Sequence, residues 1–116
     1  MKLLCMPFER KQLGHRPPDW VSDGDVYFIT ICLEKRHSKQ LIEPEVAEAL
    51  YRAADFYQNM GYWWLQLLVL MPDHLHALIS FNQRERSMSE TLRNWKRYLN
   101  RSVGVEWQRG YFDHRL

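Results

Sequence analysis

The sequence predicts an α+β domain in which two helices cover one face of an antiparallel sheet. Three observations lead there. Two stretches, around residues 44–60 and 88–101, carry apolar residues at helical spacing. Three short runs are rich in β-branched and aromatic residues. The elements alternate as strand, helix, strand, strand, helix and a tentative last strand, the split βαβ order.

Residues 1–25 read as a basic arm. Gly14, Pro17, Pro18 and Gly24 break regular structure, and Arg10, Lys11 and Arg16 supply charge. The first strand is Val26 to Leu33, apolar on both faces as a doubly covered central strand is. Glu34 to Ile42 is a charged connection. A helix follows from about Pro44 to Met60, with Pro44 at its first position and Glu45 and Glu48 near the positive end of its dipole. Its stripe is Val46, Leu50, Ala53, Tyr57 and Met60, and Gly61 ends it.

Tyr62 to Leu70 and His74 to Phe81 are strands joined by Met71-Pro72-Asp73, where the proline forces a tight connection. Ser87 and Glu90 form a capping box for the second helix. Met88, Leu92, Trp95 and Leu99 line one side of it, and Arg93, Lys96, Arg97 and Arg101 the other. Val105 to Leu116 suggests a further short strand. This is the ferredoxin-like plan, over residues 26–116.

Composition bounds the function. One domain fits 116 residues, and 46% hydrophobic content supplies a core. A net charge of +2 means that any nucleic-acid contact must come from a local patch. Two cysteines make no disulfide framework, so a cytoplasmic setting is expected. No run has the length of a membrane span.

The chemistry rests on His74 and His76. Alternate residues of a strand share a face, so these side chains stand roughly 6.5 Å apart at Cβ. Both imidazoles can tilt onto one divalent ion, although metal sites usually draw a third ligand from elsewhere. A half-buried strand can equally carry two hydrogen-bonded histidines. The face holding His74, His76 and Ser80 is the more polar one and is expected to point away from the helices. A metal beside a basic helix suggests phosphodiester chemistry.

Met71-Pro72-Asp73-His74-Leu75-His76 resembles the signature of the HUH single-strand endonucleases of the tyrosine-transposase type. The entry Asp23-Gly24-Asp25-Val26-Tyr27-Phe28-Ile29-Thr30 is similar to that family's first strand, and Trp95-Lys96-Arg97-Tyr98 to its basic helix. The close, Trp107-Gln108-Arg109-Gly110-Tyr111-Phe112-Asp113-His114-Arg115-Leu116, is similar to a segment of the REP-associated tyrosine transposases. The resemblance implies Mg²⁺ or Mn²⁺ on His74 and His76. It also implies cleavage and joining of single-stranded DNA near hairpins in repeated palindromes. Arg10, Lys11, Arg16, Arg93, Lys96 and Arg97 become the expected DNA contacts.

In that family a tyrosine on a later helix attacks the phosphate, forming a 5′-phosphotyrosine link, and an Asn or Gln one turn beyond completes the metal shell. Neither is matched here. The expectation is a C-terminally truncated domain, catalytically incomplete, whose uncovered sheet face invites self-association. The catalytic residue is unassigned and enzyme status open, with Tyr98 and Tyr111 the local alternatives. His114 is either a third metal ligand or a structural or DNA-contacting residue. Two other functions stay open: a hairpin-binding module that does not cut, and a ferredoxin-like RNA-binding domain. The latter lacks a matching signature of stacking aromatics on its central strands.

Overall fold

The structure, a computed structural model, describes residues 17–22 and 24–116. Arg10, Lys11 and Arg16, and most of the expected arm, lie outside the described residues. Four strands build one antiparallel sheet: β1 (Val26–Cys32), β2 (Trp63–Leu70), β3 (His74–Phe81) and β4 (Phe112–Arg115), in the order β2-β3-β1-β4. Two helices, α1 (Pro44–Asn59) and α2 (Met88–Val103), cover one face. This is the predicted split βαβ plan. No helix among the described residues is long and apolar enough to cross a membrane.

The core lies between sheet and helices because inward and outward residues alternate along β1 and most of β3, and along β2 on either side of an irregularity between Leu65 and Leu67. Ile29 and Ile31 of β1, Leu65, Leu68 and Leu70 of β2, and Leu75, Ala77 and Ile79 of β3 are buried inward. Leu50, Ala54 and Tyr57 of α1 and Leu92, Trp95 and Leu99 of α2 meet them. Trp63 and Trp95 pack ring to ring at 5.5 Å, and the Trp63 indole N–H donates to the Ala54 carbonyl at 3.1 Å. Ser87 caps α2 as its sequence predicts, its hydroxyl accepting from the Glu90 N–H at 3.1 Å.

Several expectations are corrected. β1 is covered on one face only: Thr30 and Cys32 are partly exposed and Phe28 is 38% exposed. Met60 caps α1 with 51% exposure instead of closing its apolar stripe, because the chain already turns at Gly61 (φ 78°). The connection after β1 holds an unpredicted 3-10 turn, Gln40–Ile42. It buries Leu41 completely, and the Leu41 N–H donates to the Pro72 carbonyl at 3.1 Å. A helical turn at Asp19–Ser22 was also unforeseen. Tyr111 precedes β4 and is not part of it.

Candidate metal centre and basic groove

His74 and His76 begin β3, with Leu75 buried between them on the opposite face. Both histidines are half-buried on the face away from the helices, as the polarity of that face predicts. Their ring centroids stand 4.9 Å apart, nearly perpendicular at 77°. β3 is flanked by β1 and β2, so both histidines stand on the rigid middle of the sheet.

Each imidazole is held by its Nδ1. His74 Nδ1 lies 2.8 Å from Asp73 Oδ1, and a carboxylate accepts, so the proton sits on Nδ1 and the Nε2 lone pair is free. His76 Nδ1 lies 3.0 Å from Thr30 Oγ1 on the neighbouring strand. When Nδ1–H donates to that hydroxyl, the second Nε2 is free too. Burial first, and then the neighbouring His74, pull the His76 pKa below its ordinary value, which favours the neutral, ligating form.

Asp73 is the hub of this corner. Its Oδ2 accepts the His37 backbone N–H at 2.9 Å and stands 3.6 Å from Arg36 Nε. His37 adopts a left-handed backbone (φ 67°), a cost that this contact offsets. The His74 hydrogen bond, then the His37 N–H, and more weakly Arg36, hold the Asp73 carboxyl down from 3.8 to about 2. Its contribution to stability is therefore complete above the unfolded-state value and is lost as pH falls through about 2. Asp73→Asn should lower the urea midpoint at neutral pH and flatten its fall on acidification. An unchanged acid limb would refute the coupling.

The donor set fits part of a divalent site. Among the described residues no group of three His, Cys, Asp or Glu side chains is close enough to hold a metal. His114 pairs with Phe28 on the far side of β1, and the Phe28 ring itself stacks on His76 at 5.1 Å. The structure thus does not bring His114 to the pair.

Arg93, Lys96 and Arg97 line a groove between α2 and the segment before β4, with Trp107 and Arg109. They are not equivalent. The Lys96 ammonium donates to the carbonyls of Gln108 (2.8 Å) and Gly110 (2.7 Å), and burial lowers its pKa. It pins the segment that leads into β4. This groove and the histidines lie in opposite layers but at the same end of the sheet. Leu33 bridges to Trp107, and its N–H donates to the Asp73 carbonyl at 2.9 Å.

The six tyrosines all sit on the helical side or at its margin. Tyr27 meets Phe81, Tyr57 packs against Tyr62, and Arg86 covers the Tyr62 ring. Tyr51 belongs to α1. Tyr98 is exposed in a groove between the helices, and the Tyr111 hydroxyl is 2.6 Å from Ser89 Oγ. Sequence reasoning gave Asp73 and Thr30 no role. The carboxylate directly before His74 was a visible signal for Asp73, whereas Thr30 needed the strand register.

No protein-family model matches the chain, and no curated protein is detectably similar to it. Several solved structures are, among them two transposases. One is a REP-associated tyrosine transposase bound to a REP hairpin, at 20% identity and TM-score 0.66, covering 80% of this chain but 56% of that one. The other is a candidate transposase from Deinococcus radiodurans R1, at 20% identity and TM-score 0.63, covering 88% of this chain and 85% of that one. At this identity the likeness is one of architecture, and the chain has the fold of these transposases.

Proposed function

We propose that this domain binds single-stranded or hairpin DNA and holds a divalent metal, Mg²⁺ or Mn²⁺, on His74 and His76 beside a phosphodiester. The observation that carries this reading is the histidine pair itself, with both Nδ1 atoms tethered and both rings on the open face. A metal there supplies a Lewis acid that polarises the phosphate and stabilises developing charge. Asp73 and Thr30 orient the rings. Arg93 and Arg97 line the groove at the same end of the sheet, where phosphates can be neutralised. The fold it shares with a transposase caught on a REP hairpin supports the choice of DNA.

A second reading, a hairpin-binding domain that does not cut, is favoured by the placement of the tyrosines. None of them reaches the histidine face, so a family-type nucleophile is not present at the pair among the described residues.

Calorimetry with Mn²⁺ tests the metal. Two imidazoles leave most of the shell to water, so weak binding is expected, and it should vanish in the double variant His74→Ala, His76→Ala. Identical titrations for parent and variant would sink the metal assignment. For DNA, Arg93→Glu with Arg97→Glu should weaken hairpin binding and flatten its salt dependence by about one unit of slope per lost contact. Lys96 is left alone because its removal would free the segment before β4. Unaltered binding would return the two arginines to solvent.

A further inference from the structure

Phe28 and Phe112 are exposed on the same face as the histidines. Phe112 is 68% exposed at the start of β4, and Phe28 is 38% exposed in the middle of β1. The register pairs Phe112 with Thr30 and His114 with Phe28, so the two rings are diagonal neighbours across adjacent strands. Such neighbours stand about 7–8 Å apart, a distance that successive bases of an extended strand can bridge. The Phe28 ring stacks on His76 at 5.1 Å and 20°. A bent path of rings therefore runs from Phe112, level with Thr30, back to Phe28 and on to His76 and His74.

The chemistry of the face selects the occupant. The four strands contain a single acidic residue, Asp113, and its register opposite Ile29 turns it to the helical side. Three histidines and no carboxylate thus alternate onto the open face. Arg36, with a side chain 67% exposed, stands at its His74 end, 3.6 Å from the Asp73 carboxylate. A buried protein partner would gain little from these histidines. An unpaired nucleic-acid base, flat and edged with hydrogen-bonding groups, would gain from the exposed rings and the imidazoles alike.

We infer that the open sheet face is a stacking platform on which Phe28 and Phe112 each hold an unpaired base of single-stranded DNA, feeding the strand towards His76 and His74. The inference rests on the proposed DNA-binding reading and deepens it by naming the residues that bind the single-stranded part. The helical-side groove, by contrast, offers cations for phosphates. Bases splayed on aromatic side chains bind with little sequence preference, because every base has a π-face.

The test is binding of a short oligo(dT) to the full chain, followed by fluorescence anisotropy of the labelled oligonucleotide. Phe112→Ala should weaken affinity about tenfold, within the range of one lost stacking contact, and Phe112→Trp should retain it. Phe28→Leu, which keeps bulk but removes the aromatic face, should show a similar loss. A 5-iodouracil oligonucleotide should cross-link on irradiation to Phe28 or Phe112. Parent-like affinity of Phe112→Ala and Phe28→Leu, with binding still sensitive to Arg93→Glu and Arg97→Glu, overturns the platform and leaves the DNA-binding reading intact. No oligonucleotide or hairpin binding by the parent overturns both. A parent that dimerises and does not bind oligo(dT), and that Phe112→Glu turns monomeric, assigns the face to a second copy and overturns the platform.

Discussion

Trp95→Ala is expected to cost the fold about 3–5 kcal/mol, the range for removing a buried tryptophan from a packed core. Trp95 is 2% exposed and joins the two ends of the molecule. Its ring meets Trp63 at 5.5 Å and Trp107 at 6.1 Å, and the Trp107 indole N–H donates to the Lys96 carbonyl at 3.1 Å. Truncation therefore opens a cavity and loosens the segment that leads to β4. Against a total stability of about 5–15 kcal/mol, this is a large fraction. Trp95→Phe should cost far less. It keeps a ring in place and removes an indole N–H that is buried without a partner among the described residues. Urea denaturation of both variants checks the pair. A Trp95→Ala loss below about 1 kcal/mol, or a Phe variant as damaged as the Ala one, would contradict the packing described.

The second large effect is an absence. The 116-residue chain, mixed with labelled hairpin DNA and Mn²⁺, is expected to form no covalent protein–DNA adduct on a denaturing gel. Phosphotyrosine formation needs a hydroxyl aligned with a phosphate that the metal orients. The histidines face one side of the sheet, while Tyr57 and Tyr62 pack together on the other and Tyr111 bonds Ser89 there. Tyr98, the most exposed of the six, opens into the groove between the helices. Supplying a helix with a tyrosine from a full-length transposase of this fold should produce the adduct. An adduct formed by the chain alone and lost in Tyr98→Phe or Tyr111→Phe would show that the sheet geometry does not keep the hydroxyl from the histidine pair.

Much of this architecture was legible in the residues. β3 begins at His74 and ends at Phe81 as predicted, because Pro72 cannot continue a ladder and Leu75, Ala77, Ile79 and Phe81 keep one apolar face. The capping box at Ser87 and Glu90 located the start of α2. The face taken by the histidine pair followed from polarity alone. What escaped depends on contacts between distant segments. Nothing local distinguishes Lys96 from Arg93 or Arg97, and only the return of Gln108 and Gly110 makes it a tether. Phe28 read as core because β1 is apolar throughout, and only the one-sided placement of the helices leaves it exposed. Leu41 and Ile42 end a charged run, and the burial of Leu41 under the turn at Pro72 has no periodic signature. Thr30 became a partner of His76 through register, which a single strand does not encode.

The hydrogen bond between Thr30 and His76 joins residues 46 positions apart. That separation has a kinetic meaning. The hairpin of β2 and β3 needs only the short turn at Met71-Pro72-Asp73 to close, so it can zip early from local contacts. β1 must wait for a loop containing all of α1 to close before it pairs with β3, and non-local pairing of this kind is the slow step in folding. The second histidine therefore acquires its orienting partner only when that closure occurs. A chain with only this hairpin formed would carry both imidazoles and still lack the aligned pair. The Mn²⁺ affinity proposed for the pair should then appear in step with the pairing of β1 and β3 and not with the hairpin.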